Sequence, residues 1–450
     1  METFILSKQV HFLPIPETKE FVAYHSFFGN AVKIGEETRT SLLSIESPLS
    51  RRAISRRFSI SKETSDHLVA IGFLESSSEN LKEVMEQRLE KRLEKAKNGM
   101  LIRSLRFLSS GCNISCSYCS IGQLQKEKHK GERFTLPLAI AAIERFLGLV
   151  KKGGHKTAYV RFFGGEPILD WRVFRDSILF LEKEKEDVKL EYTLNTNGML
   201  ITDEIAGFLK DHPVTIVISL DGTEDQHDKF RRFRNGSGTY SSVERGIEIL
   251  RRNGVPFKLN AVLHNGNIDH IEDLVSTAKY FGAIELGIDD LCFIDNDGEW
   301  TPIDVNLRIK ALITAYEIGK EVGIIVSGAW TGFRSFTTEK DPISYCYGDG
   351  EELCVDAKGR IFPCYGFTEP IGTLDHIQDC FSNSLYLELA TRIPGNIPFC
   401  DKCEFQGPCA GECAAEMASI GNSSQILEER CRIRKELFKH LLISSAKALA

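Results

Sequence analysis

The chain has 450 residues, 42% of them hydrophobic and 26% charged, enough to bury a sizeable core spread over two to four domains. Its 63 acidic and 56 basic residues leave a net charge of −7, which gives no support for wholesale binding of nucleic acid. No run approaches the length of a membrane span, and the start lacks the basic stretch and long apolar segment of a signal peptide. A cytoplasmic location is therefore expected, with thirteen cysteines kept out of disulfides.

In chain order, residues 1–82 read as a separate unit. Short strands over 10–15, 21–24 and 31–34 precede helices over 36–45, 50–58 and 62–71, the last stopped by Gly72. Strands followed by three short helices suggest a winged-helix-like domain. Such folds often bind DNA, and Arg51, Arg52, Arg56 and Arg57 form a basic cluster suited to phosphates.

Residues 83–100 form a charged helical linker whose Val84, Met85, Leu89 and Leu93 cover only a narrow seam. From 101 to 298, strand-like runs at 102–108, 157–163, 190–196, 214–219, 257–263 and 284–288 alternate with helical runs at 135–150, 171–183, 203–210, 241–251 and 268–281. That rhythm predicts repeated β-α units around a parallel sheet. Residues 299–344 read as a bridging helical segment, and 345–440 as a cysteine-rich domain.

The chemistry is carried first by Cys112, Cys116 and Cys119, spaced CxxxCxxC. Three thiolates can hold three irons of a [4Fe-4S] cube and leave the fourth without a protein ligand, open to something that is not protein. Zinc binding and inert buried thiols are the alternatives for an isolated triplet. Downstream lie Phe162-Phe-Gly-Gly-Glu-Pro167, Asn195-Thr-Asn-Gly198 and Ser219-Leu-Asp-Gly222, with His227, Asp228 and Arg231, each after a strand-like run.

Together these residues resemble the radical S-adenosylmethionine superfamily. The resemblance implies an α/β fold with a partial (β/α)6 TIM-type barrel, whose active site lies at the C-terminal strand ends. It implies an open iron chelated by the amino and carboxylate groups of S-adenosylmethionine, whose cleavage gives a 5'-deoxyadenosyl radical. It assigns Gly165 and Glu166 to the methionyl amino group, Ser219 and Arg231 to the ribose and carboxylate, and Tyr118 to the adenine. Asn197 and Leu291 join these cofactor contacts. An ammonium needs acceptors, a carboxylate suits a guanidinium fork, and adenine needs a flat apolar wall.

The second constellation is Cys346, Cys354, Gly359, Cys364, then Cys400, Cys403, Cys409, Cys413 and finally Cys431. Paired CxxC knuckles also build zinc ribbons. The order is similar to the SPASM extension of radical enzymes that modify peptides and proteins. That resemblance implies an inner auxiliary [4Fe-4S] cluster on Cys346, Cys354, Cys364 and Cys413. It implies an outer one on Cys400, Cys403, Cys409 and Cys431, making three clusters in all. Without Cys354, the inner cluster would keep a free corner able to grip a substrate thiol.

In this setting the N-terminal unit resembles peptide-recognition elements that capture a leader sequence as an added strand. The expected activity is hydrogen abstraction from a ribosomally made precursor peptide, followed by thioether or carbon-carbon cross-linking. The expected partners are that peptide with its leader and a flavodoxin- or ferredoxin-type electron donor. Three rivals stand beside it. A sulfatase-type formylglycine-generating maturase would carry an Asp after the third inner-cluster cysteine, where this chain has Tyr365. A peptide epimerase needs a hydrogen donor, for which Cys292 is the candidate. An iron-sulfur DNA-binding regulator would use the Arg51–Arg57 cluster.

Overall fold

Helices and strands are punctuated by local chemistry. The helix Leu136–Gly153 starts where the Thr135 hydroxyl accepts from Leu138 N and ends at Gly154, whose φ of 68° is left-handed. Thr202 caps the helix Asp203–Asp211, Asp304 caps Val305–Val322, and Gly282 and Gly323 stop two further helices in the same left-handed geometry. The computed structural model describes residues 3–58, 60–77, 81–119, 121, 132–290, 303–328, 346–419 and 424–448.

The N-terminal unit holds two three-stranded antiparallel sheets. The first joins β1 (Thr3–Leu6), β5 (Leu49–Ser50) and β6 (Leu74–Ser76); the second joins β2 (Val10–Pro14), β3 (Glu20–His25) and β4 (Gly29–Gly35). Three helices, Glu36–Leu43, Arg51–Phe58 and Lys62–Ala70, complete it around a core that includes Phe4, Leu42, Ile54 and Phe73. β1, β5 and β6 were not expected from sequence. Of the basic cluster, Arg51 is engaged within the unit, paired with Asp66 at 2.6 Å and lying over the Phe4 ring.

A ten-stranded sheet organises the rest. β7 (Ser104–Ser109), β8 (Thr157–Gly164), β9 (Lys189–Thr196), β10 (Val214–Ser219), β11 (Phe257–Leu263) and β12 (Glu285–Asp290) run parallel in sequence order. Alternation fixes the faces: β11 buries every second residue, and Phe107 stacks on Phe162 across β7 and β8 while Phe174 meets Phe162 edge-on from a covering helix.

The sheet does not stop at six strands. β13 (Ile325–Gly328) adds a parallel strand beside β12, inside the stretch expected to bridge by helix alone. That stretch does carry the helix Val305–Val322, but once Gly323 ends it, the short Ile-Val-Ser-Gly run finds an open parallel edge. On the other edge, β14 (Glu352–Asp356) pairs parallel with β7, and β15 (Arg360–Phe362) and β16 (Gly372–Thr373) continue antiparallel. The cysteine-rich region is thus hydrogen-bonded into the barrel sheet. Its last helix, Ser424–Ala448, runs past residue 440. No helix among the described residues is long and apolar enough to cross a membrane.

The linker helix, Leu81–Lys97, is packed rather than free-standing. Its Arg92 is buried and donates to Ala390 O at 2.7 Å, Asp349 O at 2.8 Å and Glu351 Oε1 at 3.1 Å. The N-terminal unit docks on the cysteine-rich region through Tyr24, which stacks on Phe405 and donates to Glu404 at 2.9 Å. Gly407 N donates to Ser26 O at 2.7 Å in the same contact.

Candidate active site

The motif residues emerge at the C-terminal ends of the parallel strands. β7 ends at Ser109 in register with Gly164 at the end of β8, so the loop carrying Cys112 runs beside the Gly-Gly-Glu turn. Gly165 N donates to Ser109 O and Glu166 N to Gly111 O, both at 2.7 Å. A Cβ on Gly165 would lie 2.1 Å from Gly111 O. One on Gly164, whose φ is +121°, would lie 2.2 Å from Ser109 O. Only glycines permit this approach of two backbones.

The Glu166 side chain is fully buried and engaged by protein. Its Oε2 accepts from Asn197 N at 2.7 Å, and its Oε1 accepts from Thr196 Oγ1 at 2.8 Å and Ile168 N at 3.0 Å. Burial pushes the carboxyl up to about 7, and these three donors oppose the rise. Asn197 Nδ2 reaches back to Asn113 Oδ1 at 2.8 Å. Glu166 and Asn197 therefore bind β8, β9 and the cysteine loop into one unit.

That loop gathers Cys112, Cys116 and Cys119 within electrostatic reach of one another. It is pinned by Ser115 N to Arg232 O at 2.8 Å and Ser117 N to Phe230 O at 3.1 Å. Burial pushes the Cys112 thiol up to about 11 and the Cys116 thiol up to about 12, the latter against the pull of Arg231. Three thiol donors carried on one loop are the ligand type that an iron-sulfur cluster takes. Gly111 and Gly165 close the backbone under them.

Arg231 has a protein partner that sequence did not indicate. Its guanidinium grips Asp221, Nε to Oδ2 at 2.8 Å and Nη2 to Oδ1 at 3.3 Å, and lies 5.3 Å over the Tyr118 ring. Asp221 is wholly buried and also accepts from Tyr118 Oη and from Val262 N at 3.0 Å. Burial alone would raise the Asp221 carboxyl; the Arg231 charge outweighs it and holds the group well below the usual carboxylate range. Tyr118 is thereby fixed through its hydroxyl, with its ring near Phe230 and His264.

His227 and Asp228 serve the scaffold. His227 Nδ1 accepts from Asp221 N at 3.3 Å, its Nε2 meets Thr239 Oγ1 at 3.0 Å, and burial pushes its pKa down to about 4, leaving a neutral ring. Asp228 accepts from Thr239 N at 2.7 Å and Tyr240 N at 2.9 Å, holding the start of the helix Tyr240–Arg252. Ser219 ends β10 in register with Asn260 of β11. Asn260 Nδ2 donates to Asp289 Oδ2 at 3.0 Å, and the neighbouring Asp290 pairs with Arg308 at 2.6 Å. Asp289 is solvent-accessible as a residue, yet its carboxyl is crowded enough by protein to be pushed up, with Asn260 opposing and Asp290 adding to the rise. Leu291 and Cys292 lie outside the described residues.

The C-terminal cysteines fall into two places. Cys400, Cys403, Cys409 and Cys431 line one pocket with Phe405, Glu412 and Arg434. Cys346, Cys364 and Cys413 act electrostatically on one another, and Cys364 also feels Cys354. Gly348 sits between Cys346 and Cys364: a Cβ there would lie 3.3 Å from the Cys346 sulfur and 3.3 Å from Cys364 Cβ. Cys354 is fully buried on β14, opposite Arg106 of β7 and Phe362 of β15. It packs with Leu108, Ile121 and Phe362 in a small apolar cluster that also touches Cys119. The β7–β14 pairing therefore brings Cys354 close to Cys119. Beneath it, Arg106 forks onto buried Glu352 at 2.8 and 3.1 Å. Tyr365 lies against Phe163 and Arg106.

Residues 107–278 match the Radical SAM superfamily. The chain carries a radical SAM domain. Proteins of that superfamily bind a [4Fe-4S] cluster and S-adenosylmethionine, and the relatives include enzymes that act on peptides or proteins. The chain is 26% identical over 459 residues to the radical SAM cyclopropyl synthase TigE of Paramaledivibacter caminithermalis, covering 97% of this chain and 95% of that one. It is 26% identical over 361 residues to a cysteine-type anaerobic sulfatase-maturating enzyme of Clostridium perfringens, covering 74% and 94%. Among solved structures, native anSMEcpe with bound AdoMet superposes with a TM-score of 0.63 at 22% identity, over 76% of this chain and 99% of that one. Streptococcus suis SuiB bound to precursor peptide SuiA superposes at 0.53 and 16% identity, over 92% and 96%. At these identities the superpositions establish the shared fold.

Proposed function

We propose that this radical SAM enzyme modifies a ribosomally made precursor peptide by forming a new bond at an unactivated carbon, as a carbon-carbon or thioether link. The observation that carries the reading is the end-to-end match to a cyclopropyl synthase, 97% of one chain against 95% of the other, which leaves no room for the N-terminal unit to be absent from the relative. The sulfatase-maturating relatives match a smaller share, 74% of this chain. Tyr365 in place of a carboxylate after Cys364 also argues against their chemistry.

In this reading Cys112, Cys116 and Cys119 hold the first [4Fe-4S] cluster. Cys346, Cys354, Cys364 and Cys413 hold a second, and Cys400, Cys403, Cys409 and Cys431 a third. When bound, the clusters and S-adenosylmethionine supply a hydrogen-abstracting radical and an acceptor for the second electron. The chain's own residues set the stage. The Gly165 and Glu166 turn fixes the cysteine loop, Asp221 orients Arg231 and Tyr118 as one wall of the cofactor site, and Ser219 and Asn197 line strand ends beside it. Asp289, held by Asn260 at the β12 end, is within this reading the carboxylate that takes the proton lost as the new bond closes.

The test is anaerobic incubation of the reconstituted enzyme with its precursor, S-adenosylmethionine and a reductant. The expected result is 5'-deoxyadenosine together with a peptide lighter by two hydrogens per link. Deoxyadenosine with a peptide of unchanged mass would overturn the reading.

A further inference from the structure

A pocket of 410 Å³ opens at the end of the sheet opposite the candidate active site. Leu101 and Arg103, just ahead of β7, and His155, just ahead of β8, form its floor, whereas the Cys112 loop follows the other end of β7. One wall is the helix Leu81–Lys97, which turns Met85, Arg88, Arg92 and Lys95 toward it at spacings of three, four and three residues, with Lys91 beside them. Phe27 of the N-terminal unit and the Ile393-Pro394 turn close the far side.

The lining has five cations, Arg88, Lys91, Arg92, Lys95 and Arg103, against the single carboxylate of Glu351. That is a local charge of +4 in a chain whose net charge is −7. Glu351 is already committed, to Arg92 at 3.1 Å and Arg103 at 2.6 Å. Lys91 and Lys95 are exposed one helical turn apart and have no ion-pair partner among the described residues. Like charges at that spacing cost helix stability, so the helix carries an unbalanced basic edge beside the apolar side chains of Met85, Leu101 and Phe27. Its size lies within the range of ligand pockets.

We propose that this pocket grips an acidic, amphipathic segment of the peptide substrate, at a distance from the residue that reacts. The inference rests on the peptide-modifying reading and adds where the peptide is held. Its charge calls for carboxylates and its methionine, leucine and phenylalanine lining for apolar side chains between them. Its position calls for a chain: β7 alone spans about 20 Å, so a small reactant bound here cannot reach the chemistry, while a peptide can with about six or more extended residues between the gripped and modified parts.

The experiment uses the full-length reconstituted holoenzyme and a fluorescein-labelled Glu-Glu-Leu-Leu repeat dodecapeptide, read by anisotropy, beside a probe with Gln for every Glu. The parent should bind the Glu probe at least about tenfold more tightly than the Gln probe, with affinity falling as salt rises. The double substitution Lys91→Glu/Lys95→Glu should weaken the Glu probe at least about tenfold while leaving the melting temperature unchanged. Equal binding of the two probes, or a double variant that binds like the parent, would overturn the proposal. So would displacement by citrate as effective as by unlabelled peptide, which would point to a small-anion site. Formation of 5'-deoxyadenosine is read in aliquots of the same holoenzyme taken before any probe is added. Its absence from the parent would count against the enzymatic reading alone, since probe binding is measured independently.

Discussion

Replacing Asp221 by Asn keeps the shape of the side chain and removes its charge. The consequence can be sized from its contacts. Asp221 accepts two hydrogen bonds from Arg231 and one from Tyr118, each charge-assisted and worth about 1.5–3 kcal/mol net. Arg231, only 7% exposed, would be left as a buried cation without its counter-ion. Breaking one side of such a pair costs about 3–5 kcal/mol. For a barrel of this size that corresponds to a drop in melting temperature of roughly 6–20 °C. The assay is anaerobic thermal unfolding followed by tryptophan fluorescence, with iron content measured before heating. A second variant, Asp221→Asn with Arg231→Met, removes both charges and should recover most of the lost stability, because the cost lies in the orphaned charge. It should not recover 5'-deoxyadenosine formation, because Tyr118 and Arg231 no longer form the wall. An Asp221→Asn protein melting within about 2 °C of the parent would refute the reasoning, since less than about 1 kcal/mol would then be at stake.

Gly165→Ala should force the Cys112 loop away by about 1 Å, since its Cβ would sit 2.1 Å from Gly111 O, and deoxyadenosine formation should fall about 100-fold. Gly148→Ala, with nothing within 4 Å on an exposed helix face, should leave activity intact and stabilise by about 0.5–1 kcal/mol; equal behaviour of the two variants would contradict this. His25 should make the N-terminal unit acid-sensitive. Its Nδ1 accepts from Phe27 N and Phe28 N, both at 3.2 Å, and burial, aided by His11, pushes its pKa down to about 4. The folded unit thus resists a proton that the unfolded chain takes near pH 6.5. Its contribution is complete above that pH and drains away as pH falls from there to about 4, by on the order of 3 kcal/mol. Urea titrations of parent and His25→Asn should converge as pH falls, and a parallel pair of curves would count against it. Gly407→Ala would place a Cβ 1.8 Å from Phe27 O and should loosen the N-terminal unit, seen as faster proteolysis in the linker helix.

The barrel was legible because each strand alternates and each helix is bounded by a cap or a glycine, as at Thr135 and Gly154. Four-residue β13 and two-residue β5 were not, since so few residues carry no period and form only where an edge awaits them. The cysteine positions were legible in the sequence, their grouping only through the family resemblance; in the structure Cys400, Cys403, Cys409 and Cys431 line one pocket. The electrostatic hub was hidden. Asp221 was visible within its motif, but its partners come from the cysteine loop, the segment after the helix Glu224–Phe230, and β11, which only the fold brings together. Asn260 and Asp289 gave one faint signal, a polar residue amid the apolar alternation of β11. Arg51 illustrates the opposite error. A basic cluster in sequence includes a side chain already engaged by Asp66 and Phe4.

The most direct test of the central claim replaces Cys112, Cys116 and Cys119 together by Ala and reconstitutes the protein anaerobically beside the parent. The account predicts that about four irons are lost, that iron held by the C-terminal cysteines remains, and that cleavage of S-adenosylmethionine to 5'-deoxyadenosine stops. A triple variant with the parent's iron content, or one that still cleaves S-adenosylmethionine under strong reduction, would contradict it.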